Sequence, residues 1–201
     1  MNRFALSALA AMALATPAIS ATYSNQASFL AANPGTTLVS FTGATSRLTH
    51  VPSGSTWQGV TFFGADLAYV STNFWGDHDS LLDDRFNDSL TLDFAAANSI
   101  GFYFATRYLN GTAATFTAFD GITPVYSGIL TGGGVRTHFS YFGVDGVGPI
   151  TSITLDSTGT DGFPSVAEIS LGANAVPEAT SLALAALGFG LAGLAARRRA
   201  A

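Results

Sequence analysis

The densest group of titratable side chains lies in the segment "NFWGDHDSLLDDRFNDS", residues 73–89. Calcium binds six to eight oxygen atoms in a flexible geometry, and the Asp-x-Asp spacing of a polar loop can supply several carboxylates. The segment therefore predicts a calcium site with these ligands: Asp77, Asp79, Asp83 and Asp84. Two alternatives stay open. They are a solvated acidic loop partly neutralised by Arg85, and a catalytic or zinc-binding role for His78.

The same segment places aromatic rings beside its carboxylates. Proteins bind sugars with rings that stack on apolar C–H faces and with carboxylates that accept hydrogen bonds from hydroxyls. Phe74 and Trp75, together with Trp57 earlier in the chain, are therefore predicted to form a ligand face. The alternative is that each ring packs in the core, as most large aromatic side chains do.

Motifs of the common enzyme classes are missing from the sequence. There is no Gly-x-Ser-x-Gly elbow, no His-Glu-x-x-His pair and no phosphate-binding loop. A glycosidase needs two carboxylates that flank a cleft. Glu168 and one of several Asp can be proposed for this role. However, Glu168 alternates with Ala167 and Ile169 in a predicted strand, which predicts that it is an exposed sheet residue instead. The sequence favours a protein that is not an enzyme.

β structure must position these side chains, because short alternating runs fill the middle of the chain. In "SLTLDF", Leu90, Leu92 and Phe94 alternate with polar residues, as in a strand with one buried face. About ten such runs without intervening helices predict an all-β fold, an antiparallel β-sandwich or jelly roll. The predicted strands are residues 36–42, 57–63, 66–71, 89–94, 99–108, 113–120, 123–130, 135–144, 150–157 and 166–172.

One short helix is predicted ahead of these strands, near residues 25–32. Ser24 is a suitable N-cap, because its hydroxyl can accept a hydrogen bond from a free amide of the first turn. The run Asn33-Pro34-Gly35 is expected to end the helix.

The composition excludes some classes of function. The net charge is −5 at pH 7, and residues 22–175 hold twelve of the thirteen acids but only four of the eight basic residues. Such a surface repels phosphate backbones, so nucleic-acid binding is excluded. The chain has no Cys, which leaves no disulfides to form and no cysteine to carry a lipid. Sixteen Phe predict a thick aromatic core between two sheets.

The first twenty-one residues read as a secretory signal peptide. Arg3 supplies the positive start, residues 4–15 the apolar core, and "TPAISA" a small-residue cleavage site after Ser20 or Ala21. Residues 22–175 are then predicted to form one β-sandwich domain, and residues 176–201 a tail.

The tail reads "VPEATSLALAALGFGLAGLAARRRAA". Residues 179–196 carry no charge. As a helix they would be about 27 Å long, enough to span a bilayer core. A cluster of cations follows and is expected to stay cytoplasmic, which leaves the domain on the outer side. The cluster is Arg197, Arg198 and Arg199.

This arrangement resembles the PEP-CTERM sorting tail of proteins exported by Gram-negative, exopolysaccharide-producing bacteria. Val176, Pro177 and Glu178 match the motif, while Ala179 replaces its second Pro. The resemblance implies a membrane-embedded, exosortase-like protease as partner, with the tail held in the membrane only until that protease cuts near the motif. The alternative is a permanent membrane anchor.

The domain also resembles the β-sandwich modules common in PEP-CTERM proteins. The likeness rests on "YSNQASFLAANPGTTLVSFTG", "YFGVDGVGPITSITLDS" and "FPSVAEISLG". Many such modules carry Glu after the first core Phe and an acidic pair in the last strand. This chain has Thr42 and the pair Ala167-Glu168 at those places, so the cation site of such relatives is not matched.

Two functions are consistent with these observations. The first is an exported, non-catalytic protein of the cell surface or extracellular matrix that binds exopolysaccharide. The second is a secreted hydrolase or lyase that acts on such polymers, for which a cleft with two carboxylates is the expected signature.

Overall fold

The computed structural model describes residues 20–74, 76–85, 88–106, 114–131, 138–157 and 162–173. These residues form one helix, α1 (Gln26–Ala32), and twelve strands, so the predicted all-β class is confirmed. The first seven strands are β1 (Ala21–Tyr23), β2 (Thr37–Val39), β3 (Leu48–His50), β4 (Ser55–Trp57), β5 (Val60–Phe63), β6 (Leu67–Val70) and β7 (Ser80–Asp83). The other five are β8 (Ser89–Thr106), β9 (Ala114–Asp120), β10 (Thr123–Leu130), β11 (Ser140–Asp156) and β12 (Pro164–Gly172).

Helix α1 begins one residue later than predicted. The prediction of Ser24 as N-cap is wrong, because the Asn25 side chain accepts the hydrogen bond from the Ser28 amide at 2.8 Å. Asn33 caps the other end, as expected from the Asn-Pro-Gly run. The buried Phe29 holds the helix against the sheet over Gly143, where an added Cβ would lie 2.6 Å from its ring.

Two pairs of predicted strands are in fact single long strands. The predicted strand at residues 89–94 and the described part of the one at residues 99–108 form one strand, β8. Likewise, β11 joins the described parts of the two predicted strands on either side of residues 145–149. Conversely, the predicted strand at residues 57–63 is a hairpin. Gln58 and Gly59 form its turn with φ of 47° and 84°, the left-handed pair that a two-residue hairpin loop favours.

β8 and β11 each belong to two sheets. The register between them shifts near residues 145–152 of β11, and both strands pass from one sheet to the other there. Sheet I contains the first half of β8, the second half of β11, and β4, β5, β9 and β10. Sheet II contains the other halves of both strands, and β1, β2, β3, β6, β7 and β12. Strands that switch sheets at a bulge form the corners of a sandwich.

The two sheets share one aromatic core, as the Phe content predicts. Phe102 of sheet II lies 5.4 Å from Phe116 of sheet I, measured between ring centres, and Phe116 lies 5.1 Å from Phe142 of sheet II. Tyr103, one residue along β8, therefore points to the outer face of sheet II.

The predicted signal peptide and the tail fall outside the described residues, apart from residues 20 and 21. In the described part of the chain, α1 is too short to cross a membrane and no other helix occurs. The predicted span at residues 179–196 is not covered by this finding.

Candidate functional site

Glu168 has an unusual backbone conformation in the middle of β12. Its φ is 44°, in the left-handed region that non-glycine residues rarely occupy, and the β8–β12 register shifts between Ala167 and Ser170. Strained residues of this kind persist only where the surrounding structure holds them, and they concentrate at functional sites. The bulge presents the Glu168 carboxylate at the outer face of sheet II.

His78 is the partner of this carboxylate. Its Nδ1 lies 3.2 Å from Glu168 Oε1, and Gln26 Nε2 of α1 donates to Glu168 Oε2 at 3.3 Å. The His78 ring stacks on Tyr103 at 4.3 Å and meets Phe139 edge-on at 5.4 Å, between ring centres. We call these five residues the His78–Glu168 cluster.

A second His–carboxylate pair adjoins the cluster. Asp77 Oδ1 accepts a hydrogen bond from the Phe139 amide, and Asp77 Oδ2 lies 3.6 Å from His138 Nδ1. Burial first, and then the carboxylates of Glu168 and Asp77, raise the pKa of Tyr103 above 10.0. Tyr103 therefore stays a neutral hydroxyl at any physiological pH.

The cluster is open enough to meet a ligand. The exposed fractions of the His78 and Glu168 side chains are 22% and 39%. Together they offer stacked rings, a carboxylate acceptor and a carboxamide group on one half-exposed face. This is the chemistry with which proteins bind sugars, and a hydrogen-bonded His–carboxylate pair is also a common acid–base unit.

The predicted calcium ligands have other partners in the structure. Asp83 is fully buried and accepts hydrogen bonds from the backbone amides of Ala65, Asp66 and Arg85. Burial is the largest effect on its carboxyl and raises its pKa, although those three hydrogen bonds oppose the shift. Asp83 therefore ties the acidic segment to the loop before β6.

Asp77 and Asp79 have hydrogen-bond partners different from those of Asp83. Asp79 accepts a hydrogen bond from the Thr72 amide at 2.7 Å, and Asp84 follows the end of β7. Among the described residues, no three His, Asp or Glu side chains are grouped closely enough to hold a metal ion. The calcium site receives no support from these contacts and stays a prediction.

Two of the three rings of the predicted aromatic face, Trp57 and Phe74, lie among the described residues. The Trp57 indole donates to the Ser40 carbonyl at 2.8 Å and packs on Tyr69, so this ring is part of the structure of the sandwich. Phe74 is 46% exposed, with the Arg47 guanidinium 6.0 Å from its ring centre. Trp75 lies outside the described residues.

Neither of two cavities in the described part of the chain matches the two-carboxylate cleft of a glycosidase. The larger has a volume of about 370 Å³ and is lined by hydroxyl and ring groups that include Tyr23, Tyr126 and Tyr141. No Asp or Glu is among the described residues that line either cavity.

Sequence reasoning missed the cluster because its central feature is a backbone irregularity. Strict alternation along β12 predicts that Glu168 is simply exposed, whereas the bulge turns its carboxylate toward His78. His78 itself was singled out, as part of the acidic segment. Its partner lies ninety residues away, and no local pattern pairs the two.

The comparison with known proteins concerns the tail. The family model described as the PEP-CTERM protein-sorting motif matches residues 175–199. No curated protein matches the chain. The match confirms the predicted resemblance of the tail, which begins with Val176, Pro177 and Glu178, to a PEP-CTERM sorting tail. It implies export, membrane-associated sorting in Gram-negative cells and recognition of the tail by exosortase processing. The chain thus carries a PEP-CTERM sorting motif in its tail, and this motif indicates a sorted, exported protein.

Proposed function

We propose that this protein is delivered by its tail to the cell surface or the extracellular matrix, where the β-sandwich binds polysaccharide without catalysing a reaction. The observation that carries this proposal is the His78–Glu168 cluster. It places rings, a carboxylate and a carboxamide on one half-exposed face.

The chemistry of the cluster suits a neutral or weakly charged sugar. Phe139 and the stacked His78 ring can pack on the C–H face of a pyranose. Glu168 can accept hydrogen bonds from hydroxyls, and its present partner Gln26 can donate to them. The domain carries a negative charge, so a strongly anionic polymer would be repelled.

A catalytic role is the second candidate, because one observation favours it. His78 and Glu168 form the hydrogen-bonded pair that general acid–base catalysis uses. Under this alternative the protein is a secreted hydrolase or lyase, and it would shorten the polymer that it binds.

Binding to the purified extracellular polysaccharide of the producing cells tests both candidates. The proteins compared are the exported product of the full-length chain and its variants His78→Gln and Glu168→Gln. Co-sedimentation measures their binding, and the size of the recovered polymer reports any cleavage. We expect both variants to bind at least about tenfold more weakly, a loss of about 1.4 kcal/mol, and the polymer to keep its size. A shortened polymer would establish the catalytic alternative.

The chain offers a matched control in a third His–carboxylate pair, His50 and Asp66. His50 Nδ1 lies 2.9 Å from Asp66 Oδ1, and both side chains are about half exposed at 52% and 51%. His50→Gln should therefore bind as well as the unaltered protein. If it binds as poorly as His78→Gln, or if His78→Gln binds normally, the proposed site is wrong.

A further inference from the structure

One carboxylate ties the N-terminal strand β1 to sheet II. Ala21 pairs with Asp145 in the β1–β11 ladder, and its backbone nitrogen donates to Asp145 Oδ1 at 3.2 Å. The other oxygen, Oδ2, accepts a hydrogen bond from the Tyr23 hydroxyl at 2.6 Å and a longer one, 3.5 Å, from the Asn33 carboxamide. Asp145 is half-buried, so these bonds are partly shielded from water.

The predicted signal peptide can be cut at two bonds, and the two cuts affect β1 differently. A cut after Ala21 removes the residue whose nitrogen Asp145 holds. A cut after Ser20 keeps it and turns it into the first residue of the protein. A signal peptide has small residues at the first and third positions before the cut. This rule favours the cut after Ser20, which places Ser20 and Ala18 at those positions. The cut after Ala21 would place the larger Ile19 at the third position.

We propose that the exported protein begins at Ala21 and that its new α-ammonium group forms an ion pair with Asp145. The step is hydrolysis. Water adds across the Ser20–Ala21 peptide bond, Ser20 leaves with a carboxylate, and the nitrogen of Ala21 takes up protons to become an ammonium group. The inference rests on the predicted signal peptide and is independent of polysaccharide binding.

Processing then strengthens a contact that already exists. In the precursor, the Ala21 nitrogen is a neutral amide that donates to Asp145. After the cut the same nitrogen is a cation, so that both partners of the hydrogen bond are charged and Coulomb attraction adds to it. Chain ends fray unless they are tied down. The ion pair holds this end in the sheet.

The composition makes the test unusually specific. All eight basic residues other than His are Arg, so the chain contains no lysine. The α-amine is therefore the one primary amine of the exported product, and an amine-reactive ester labels it alone. The full-length chain is expressed in a Gram-negative host, and the exported product is labelled and sequenced by mass spectrometry. We expect the label on Ala21, and a label on Thr22, on a later residue or on Met1 overturns the proposal.

The rate of labelling near pH 7 tests the ion pair. A carboxylate beside an amine favours the protonated form, which does not react with the ester. We expect the variant Asp145→Asn to be labelled at least about threefold faster than the unaltered product. The reason is that a change of one unit in the pKa of the α-amine changes its reactive, unprotonated fraction by up to about tenfold. Tyr23→Phe keeps the carboxylate and should be labelled slowly. The control Asp120→Asn, at an exposed position in β9, should also leave the rate unchanged.

A second measurement covers the case in which Asp145→Asn does not fold. Acetylating the α-amine of the unaltered product removes its charge and should lower the melting temperature of the protein. Equal labelling rates with and without Asp145, or a melting temperature that acetylation leaves unchanged, would show that no ion pair forms.

Discussion

The Glu168 carboxylate lies 3.2 Å from His78 Nδ1, and the backbone of Glu168 is left-handed although it lies in the middle of a strand. The bulge in β12 and the His–carboxylate contact are therefore parts of the same feature. A residue with φ of 44° costs about 1–2 kcal/mol unless it is Gly.

Substitutions at Glu168 separate the backbone effect from the carboxylate. Both Glu168→Ala and Glu168→Gly remove the carboxylate, but only Gly adopts a positive φ without strain. We expect Glu168→Gly to be more stable than Glu168→Ala by roughly 0.5–1 kcal/mol in urea unfolding. At Thr117, a β9 residue without positive φ, the order should reverse. The same order at both positions would mean that the left-handed conformation is not kept in solution.

Asp83 is expected to be the most costly of the acidic residues to replace. Three backbone amides donate to the two carboxylate oxygens of Asp83. An Asn side chain has one acceptor oxygen, so Asp83→Asn leaves at least one of these amides without an acceptor. The loss in the free energy of unfolding should be about 1–3 kcal/mol. The exposed Asp93→Asn serves as control and should change it by less than about 0.5 kcal/mol.

The pH dependence of that difference has a definite sign. Burial raises the pKa of Asp83 above its ordinary 3.8 in the folded protein. The folded state therefore binds the proton more tightly than the unfolded state, and the contribution of Asp83 is largest below pH 3.8 and is lost as the pH rises through the raised value. The stability advantage of the unaltered protein over Asp83→Asn should grow as the pH falls from 7 toward 4. An advantage that shrinks over this range would contradict the shift.

Tyr141 and Tyr23 form a contrasting pair. The Tyr141 hydroxyl is buried and has no hydrogen-bond partner of normal geometry among the described residues, whereas the Tyr23 hydroxyl donates to Asp145. Tyr141→Phe should therefore leave the free energy of unfolding unchanged or raise it, and Tyr23→Phe should lower it by about 1 kcal/mol. Urea unfolding at pH 7 measures both, and a larger loss for Tyr141→Phe would contradict the assignment.

Alkaline unfolding gives an independent check on Tyr141. Burial raises the pKa of its hydroxyl to about 12, above the ordinary 10.0. The stability that depends on the neutral hydroxyl is complete below pH 10 and is lost as the pH rises toward 12. Tyr141→Phe removes this loss, so its stability should fall less between pH 10 and 12 than that of the unaltered protein.

The tail should be shortened during export. The apolar span follows Pro177-Glu178 directly, and we expect cleavage close to that pair, so that the mature protein lacks Arg197–Arg199. Intact-mass measurement of the exported product decides this. A species on the outer side of the membrane that still carries the three arginines would indicate a permanent anchor, the alternative read from the sequence.

The fold class could be predicted because it depends on local alternation, which Leu90, Leu92 and Phe94 display clearly. Strand boundaries were less predictable. The three-residue strand β3 is too short for a pattern, and it forms because β6 offers it a partner. The continuity of β8 and β11 through their bends is likewise a tertiary property. The site escaped prediction for the same reason, since the contact between Glu168 and His78 depends on a bulge.

The position of β12 has a mechanical consequence. This strand leads into the sorting tail, and it lies inside sheet II with β8 on one side and β2 and β7 on the other. A force applied to the tail is therefore transmitted to an interior strand, so that ladders on both sides must yield before the chain extends. A domain tethered by an edge strand would peel open one hydrogen bond at a time.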